Sequence, residues 1–357
     1  MSKETMQDLQ VNTLIGMTSQ RGNAWHRRDD LRRLPDGTML EDNHYEGFIP
    51  VADVQRRLFD WLPESLPVAY LKQCGVDEAD FITADGTAVK VIESQAQRRG
   101  LLRDDNQYDL GIFKTAVHQP YRISLIREAE RLTGSTLGVS SAGLLELGGR
   151  AWVEFSLPET QHDKLSGFSY RPNLLKADSM NGTMAHTTAR TINATVCDNT
   201  LTMNLFDAKR AGAVFRRRHT AGYGNLQDER DALGILEATN EQFVAELHAL
   251  IQREITPQQV IQVLDIIMPV PADEGRGKTR MENRRDLWLD CYNQDAMCAT
   301  WKGTAFGVLQ TDNTVRHWYS QVSSGVSRSE RNTTRAIQGE SALADQRVVQ
   351  AVEAVLV

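Results

Sequence analysis

Lys209, Arg210, Arg216, Arg217, Arg218 and His219 fall within eleven residues that contain no Asp or Glu. The chain as a whole is acidic, with 40 Lys and Arg against 47 Asp and Glu, so this window is its steepest local charge. Cations gathered this way suit the electrostatic capture of phosphates. Arg171, Lys176 and Arg190 fall on segments that read as the strands of a preceding hairpin and would extend the same positive track. Converging on one groove, Arg171, Lys176, Arg190, Lys209, Arg210, Arg216, Arg217 and Arg218 would follow a nucleic-acid backbone. Four phosphate contacts to a single strand would give a salt slope of roughly −3, at about −0.7 per contact. Phe168, Tyr170 and Tyr223 offer stacking faces, at about 1–3 kcal/mol per base. The competing reading is a solvated charge run at a domain junction, paired with Asp228, Glu229 and Asp231.

Other candidates carry less. Ala272 to Thr279 fits a permissive phosphate-loop pattern ending in Gly277-Lys278-Thr279. The preceding apolar run reads as helix, Asp273 and Glu274 would oppose phosphate oxygens, and no acid-ended strand follows to hold magnesium. A helix–helix linker explains it as well. The eight histidines form no metal-binding spacing, and no G-x-S-x-G occurs. Ser140-Ser141 has no base beside it, His186 reads as a structural histidine among threonines, and Glu146 and Glu154 lack a nuclease spacing. No catalytic residues, cofactor or metal are expected. Arg328, Arg331 and Arg335 share one helical face, which could meet nucleic acid, another subunit or solvent.

The elements that must position these residues follow from periodicity and punctuation. Residues 1–45 read as an arm, with Trp25 pinning it to the body. A helix is expected over Val51 to Leu62 and a hairpin over Phe81 to Ile92 around Asp85-Gly86. Ile123 to Leu132 reads as helix, and a second hairpin flanks Gly148-Gly149. Phe168 to Ala177 reads as a strand, with Pro172 marking an edge or a bulge. Thr183 to Val196 is the return strand, after which Asp198 or Asn199 would cap a helix running through Lys209. Beyond about 220 the pattern is helical, with a capping signal at Thr256-Pro257-Gln258-Gln259 and a helix over Met281 to Cys298. The fold class is therefore α+β, an antiparallel-sheet core followed by an all-α region, with divisions at 1–45, 46–222 and 223–357. Four scattered cysteines imply no disulfide framework. The longest apolar run, Val260 to Val270, is too short and too interrupted to span a bilayer. A soluble, cytoplasmic protein without membrane contact is expected.

Three stretches carry a resemblance. They are Gly148-Gly149-Arg150-Ala151-Trp152, Asn193 to Leu201 with the basic run to His219, and Gly303-Thr304-Ala305-Phe306-Gly307 followed by Asn313 and His317-Trp318. Together they resemble the phage/plasmid-like proteins bearing domain of unknown function 932, over roughly 45 to 340. The implied hairpin-and-helix core is similar to single-strand annealing recombinases, which place DNA against a hairpin and a basic groove. The resemblance thus implies an ATP-independent single-stranded DNA binding and annealing protein, acting as a homo-oligomer, with an exonuclease or single-strand-binding protein as a further partner. An accessory protein that binds a host defence or replication protein is the alternative. A phosphate-loop NTPase or a metal-dependent nuclease is the weakest reading.

Overall fold

The computed structural model describes residues 10–20, 32–94, 96, 98–114, 119–134, 136–194, 199–202, 214–217, 229–323, 326 and 328–356. After strand β1 (Thr13–Ile15) and helix α1 (Val51–Leu58), the chain builds a ribbon of β2 (Pro63–Pro67), β3 (Ala69–Gln73), β4 (Phe81–Ile82), β5 (Ala88–Glu93), β6 (Arg99–Arg103) and β7 (Asp109–Phe113). A π-helical turn (Arg122–Ile126) runs into α2 (Arg127–Leu132). The strands of the central sheet follow: β8 (Gly138–Leu145), β9 (Arg150–Ser156), β10 (Gln161–His162), β11 (Ser169–Ser179), β12 (His186–Ala194), β13 (Asn199–Thr202) and β14 (Val214–Arg217). Helices complete the described chain: α3 (Glu229–Ile251), α4 (Pro257–Ile267), α5 (Arg276–Gln294), α6 (Ala305–Thr314), a second π-helical turn (Val315–Tyr319), α7 (Arg328–Gln338) and α8 (Glu340–Leu356). The architecture is α+β, with antiparallel sheets before the helices. No described helix is long and apolar enough to cross a membrane.

The organising element is an antiparallel sheet in the order β1-β8-β9-β11-β12-β13, with β10 beside β11 and β14 beside β12. Both expected hairpins of this sheet are present, β8–β9 around Gly148-Gly149 and β11–β12. Pro172 sits inside the sheet, not at its edge. On one side it pairs with Ile192. On the other, β11 changes partner there, since the β10 ladder stops at Gln161–Tyr170 and the β9 ladder starts at Ser156–Asn173. A residue without an N–H is tolerated where no ladder asks for one.

Alternation along the strands makes two apolar faces. Leu14, Val139, Ala142, Phe155 and Leu174 meet Leu125, Ile126 and Leu132 below, with Val54 and Leu58 of α1. Trp152, Leu175 and Ala189 meet Ile337 of α7 on the other face. A third cluster joins Phe168, Tyr170 and Ile192 to Phe243, Trp288, Phe306 and Val349 of the helices. Each fully buried side chain of this size contributes about 1.5–3 kcal/mol.

One expectation fails beyond β12. Asn199–Thr202 is a strand, not the start of a helix, and Val214–Arg217 is another. Both lie along the free edge of β12, where unpaired backbone groups need partners and Thr, Val and Phe suit a pleated surface. Asp198 and the segment through Lys209 lie largely outside the described residues, as do Trp25 and Tyr223. Among the helices, the Thr256 signal is a true capping box: the hydroxyl accepts from Gln259 N, and the Gln259 side chain takes up Thr256 N. Helix α5 starts at Arg276, five residues ahead of the expected Met281, directly after Gly275 with φ +149°.

Candidate polyanion-binding site

The hairpin cations do not share a groove. Lys176 and Arg190 belong to one face of the sheet, through their register with Thr188 and Leu174. Arg171, at an odd position of the same strand, belongs to the other. Arg171 is buried, and its Nη2 donates to Thr160 Oγ1 at 2.9 Å. Arg190 is half-buried; burial pulls its pKa down against the attraction of Glu246. Arg216 and Arg217 hold successive register positions on β14, opposite Thr187 and His186. Lys209, Arg210 and Arg218 lie outside the described residues. Nor are Phe168 and Tyr170 open platforms. Phe168 packs edge-on against Trp301 and Phe306 at centroid distances of 5.4 and 5.2 Å, and Tyr170 donates to Asn240 Oδ1 at 2.7 Å.

Lys176 is committed elsewhere. Its Nζ lies 3.1 Å from Glu128 Oε2, and the two side chains are 3% and 4% exposed. His186 Nε2 stands 3.5 Å from the same carboxylate, with its Nδ1 3.8 Å from Asp178 Oδ2. Two cations and two carboxylates are thus held between β11, β12 and α2. Burial opposes the charge on His186, but Asp178 and Glu128 outweigh it and push its pKa up to about 9. Burial likewise works against ionised Glu128, and His186 and Lys176 overcome it, so its pKa is lowered. A lysine sealed into such a cluster cannot serve a phosphate in this conformation.

A positive site does exist, in the helical region. A cavity of about 980 Å³ opens between α5, the second π-helical turn, α7 and α8. Arg276, Arg280, Arg284, Arg316, Arg331 and Arg335 line it, with Glu340 as the acid in its wall. Arg276, Arg280 and Arg284 recur every four residues, so they run along one face of α5 in steps of about 6 Å. They are exposed, and none forms an ion pair with a described residue. Arg285, one position off this row, is by contrast paired to Asp265 at 2.8 Å. Like charges at this spacing cost about 0.2–0.5 kcal/mol per pair, a cost that an anion in the cavity would reverse.

The opposite wall is built, not merely charged. Arg331 Nη1 donates to the carbonyls of Ser320 and Gln321 at 3.2 and 3.1 Å, and Nη2 to those of Arg316 and His317 at 2.9 and 3.2 Å. It closes the C-terminal end of the π-helical turn, where carbonyls lack helical partners. Burial, then Arg335 and Arg328, pull its pKa down to about 10, so it stays charged near neutrality. Arg316 pairs with Asp312 at 2.6 Å and with the buried Asp345. Burial and the arginines beside it hold His317 near 3, so its ring is neutral, and Nδ1 meets Asn313 Oδ1 at 2.6 Å. The preceding Gly303-Thr304-Ala305-Phe306-Gly307 is also explained locally. Thr304 caps α6 by accepting from Gly307 N at 3.1 Å, and a Cβ on Gly307 would stand 2.1 Å from Trp301 O. The stripe of Arg328, Arg331 and Arg335 was legible in sequence; the row on α5 was not, because its first turn was read as linker. The spacing of Arg276, Arg280 and Arg284 was the available signal.

The model of the domain of unknown function DUF932 matches residues 122–346. The chain belongs to the DUF932 family. No curated protein and no solved structure matches it. The DUF932 match begins at residue 122 and not near residue 45, the expected start of the resemblance, so β2 to β7 precede it. It takes in the buried charge cluster and every residue named above as lining the cavity. Lys278, the lysine of the phosphate-loop lookalike, also falls within it, on the first turn of α5 and paired with Glu274.

Proposed function

We propose that this DUF932 protein binds single-stranded nucleic acid through its phosphates, with the arginine cavity as the principal holding site. The observation that supports this is the α5 row: three guanidinium groups at regular spacing, without an ion-pair partner among the described residues, facing a cavity lined by three more. The row is a linear array, matched to successive charges on an extended strand better than to one compact anion. Arg is also the side chain best suited to phosphate, through its planar fork of donors. The basic segment around Arg216 and Arg217 is a second contact in this reading. Strand annealing by an ATP-independent protein of a phage, plasmid or integrated element is the activity such binding would serve.

The test is fluorescence anisotropy with a labelled single-stranded oligonucleotide, comparing wild type with Arg276, Arg280 and Arg284 changed together to Gln. A folded triple variant that binds as tightly as wild type refutes the cavity as the site. A second reading, a free nucleotide or polyphosphate, is favoured by the volume, which is at the upper end of small-ligand pockets. Inorganic tripolyphosphate that binds while oligonucleotides do not would decide for it.

A further inference from the structure

The cavity carries more than phosphates require. Beside the arginine row, α5 also lines it with Asn283, and the second π-helical turn adds Tyr319. Its volume, about 980 Å³, is that of a pocket for a small organic group and not only of a track for a backbone. Tyr319 is 44% exposed, although it ends a turn that packs against both α5 and α7. Other rings of the helical region are covered: Trp288 stacks on Tyr292, and Trp301 meets Phe306 edge-on. Among the described residues no aromatic ring packs against Tyr319.

Tyr319 is held at both ends. Its hydroxyl donates to Asp295 Oδ2 at 2.6 Å, and Asp295 Oδ1 in turn accepts from Met297 N at 2.8 Å. Its backbone is fixed by Arg331, which takes up the carbonyls of Arg316 and His317 before it and of Ser320 and Gln321 after it. Ser320 N closes the π-helical turn on Val315 O at 2.9 Å. A ring tethered this way has little freedom left to lose when a ligand stacks on it. An aromatic face is wasted on a phosphate and suits a flat, partly apolar group. In a single strand that group is the base, and every base has such a face.

Asn283 meets the second need of a base, its polar edge. It is exposed, forms no hydrogen bond with a described residue, and lies between Arg280 and Arg284 in the sequence of α5. A carboxamide offers both donors and an acceptor, the complement of a base edge. We infer that one unpaired base of the bound strand enters the cavity, stacks on Tyr319 and is read along its edge by Asn283, while the α5 arginines hold the neighbouring phosphates. This rests on the cavity being a site for single-stranded nucleic acid and adds the bases to it. A base seated there is unavailable to a complementary strand, so a duplex is excluded from this mode.

The experiment is fluorescence anisotropy with a single-stranded oligonucleotide and with an abasic strand of the same length. The two carry the same phosphates, so the ratio of their affinities isolates the bases. Wild type should bind the normal strand about 5- to 100-fold more tightly, the range expected for one stacked base. Tyr319→Leu should bring the two affinities together. Tyr319→Phe, which loses the tether to Asp295 but keeps the ring, should retain most of the difference. A single 2-aminopurine in the abasic strand should lose fluorescence on binding wild type and not on binding Tyr319→Leu. Asn283→Ala should narrow the differences among abasic strands that bear a single A, C, G or T; differences left unchanged overturn the part given to Asn283. Equal affinity of wild type for normal and abasic strands overturns the inference and leaves the arginine site standing, whereas binding of neither strand overturns both. A preference for the normal strand that persists in a folded Tyr319→Leu also overturns the inference.

Discussion

Glu128 and Lys176 form a buried ion pair, 3.1 Å from Oε2 to Nζ, that ties the first turn of α2 to the middle of the central sheet. The positive charge that strand position 176 offers a passing phosphate is instead cancelled inside the protein. His186 and Asp178 complete a group that is balanced in charge, and its stability depends on that balance.

Removing one member leaves uncompensated charge in a buried site. Glu128→Ala should cost about 3–5 kcal/mol in urea unfolding. Glu128→Leu combined with Lys176→Met should recover much of that, since apolar groups of similar size need no partner. A single-variant loss below about 1 kcal/mol would show that the pair behaves as a solvated one.

The pH dependence follows from the same group. His186 has a higher pKa folded than unfolded, about 9 against 6.5. The folded state therefore holds the proton more tightly, and the stability gained is fully present below about 6.5. It is lost as pH rises through about 9, a change on the order of 3 kcal/mol. Glu128 acts in the opposite direction: its contribution is present above its ordinary value of 4.5 and fades as pH falls. Melting temperature measured across pH 6.5 to 9 should decline more steeply for wild type than for His186→Gln. Parallel curves would mean that the imidazole is neutral in the fold.

Oligonucleotide affinity should fall with salt, and the slope reports the contacts. Losing the three α5 arginines should flatten the logarithmic plot by about 2, at roughly 0.7 per phosphate contact on a single strand. Changing Arg285, which is tied to Asp265, should leave the slope unchanged.

Arg331 has two duties that can be separated. Arg331→Met should lower stability by about 1–3 kcal/mol, because the carbonyls ending the π-helical turn lose their donors. Arg331→Lys restores charge without the planar fork, so it should recover anion binding better than stability. Equal recovery of both would argue against the capping role.

Gly307 permits no side chain. A Cβ there would stand 2.1 Å from the carbonyl oxygen of Trp301, which is backbone and cannot swing aside. Gly307→Ala should cost about 3 kcal/mol or more, seen as a large drop in melting temperature.

Much of the fold was legible because local rules and tertiary demands agree. The capping box at Thr256, the hairpin at Asp85-Gly86 and the glycine pair before β9 are each decided by neighbours in sequence. The strand at Asn199–Thr202 was not legible, because the free edge of β12 decides it and local sequence does not. The strand cation Lys176 misled for a related reason. Sequence shows which residues are cationic but not which carboxylate each will meet, and the acid facing Lys176 lies 48 positions away. Arg276, Arg280 and Arg284 have the spacing of a site, yet a glycine-flanked polar segment conceals the helix that aligns them.

β1 extends the central sheet from outside residues 122–346, and Ile49, Val54, Leu58 and Phe59 fill the same hydrophobic layer as Leu125 and Phe155. The limits recognised by family likeness are thus not the limits of cooperative folding. A fragment cut at residue 122 would bare the backbone of β8 and half-empty the layer beneath it. Such a piece should aggregate when expressed, and any activity ascribed to the family segment belongs physically to a longer stretch of polypeptide.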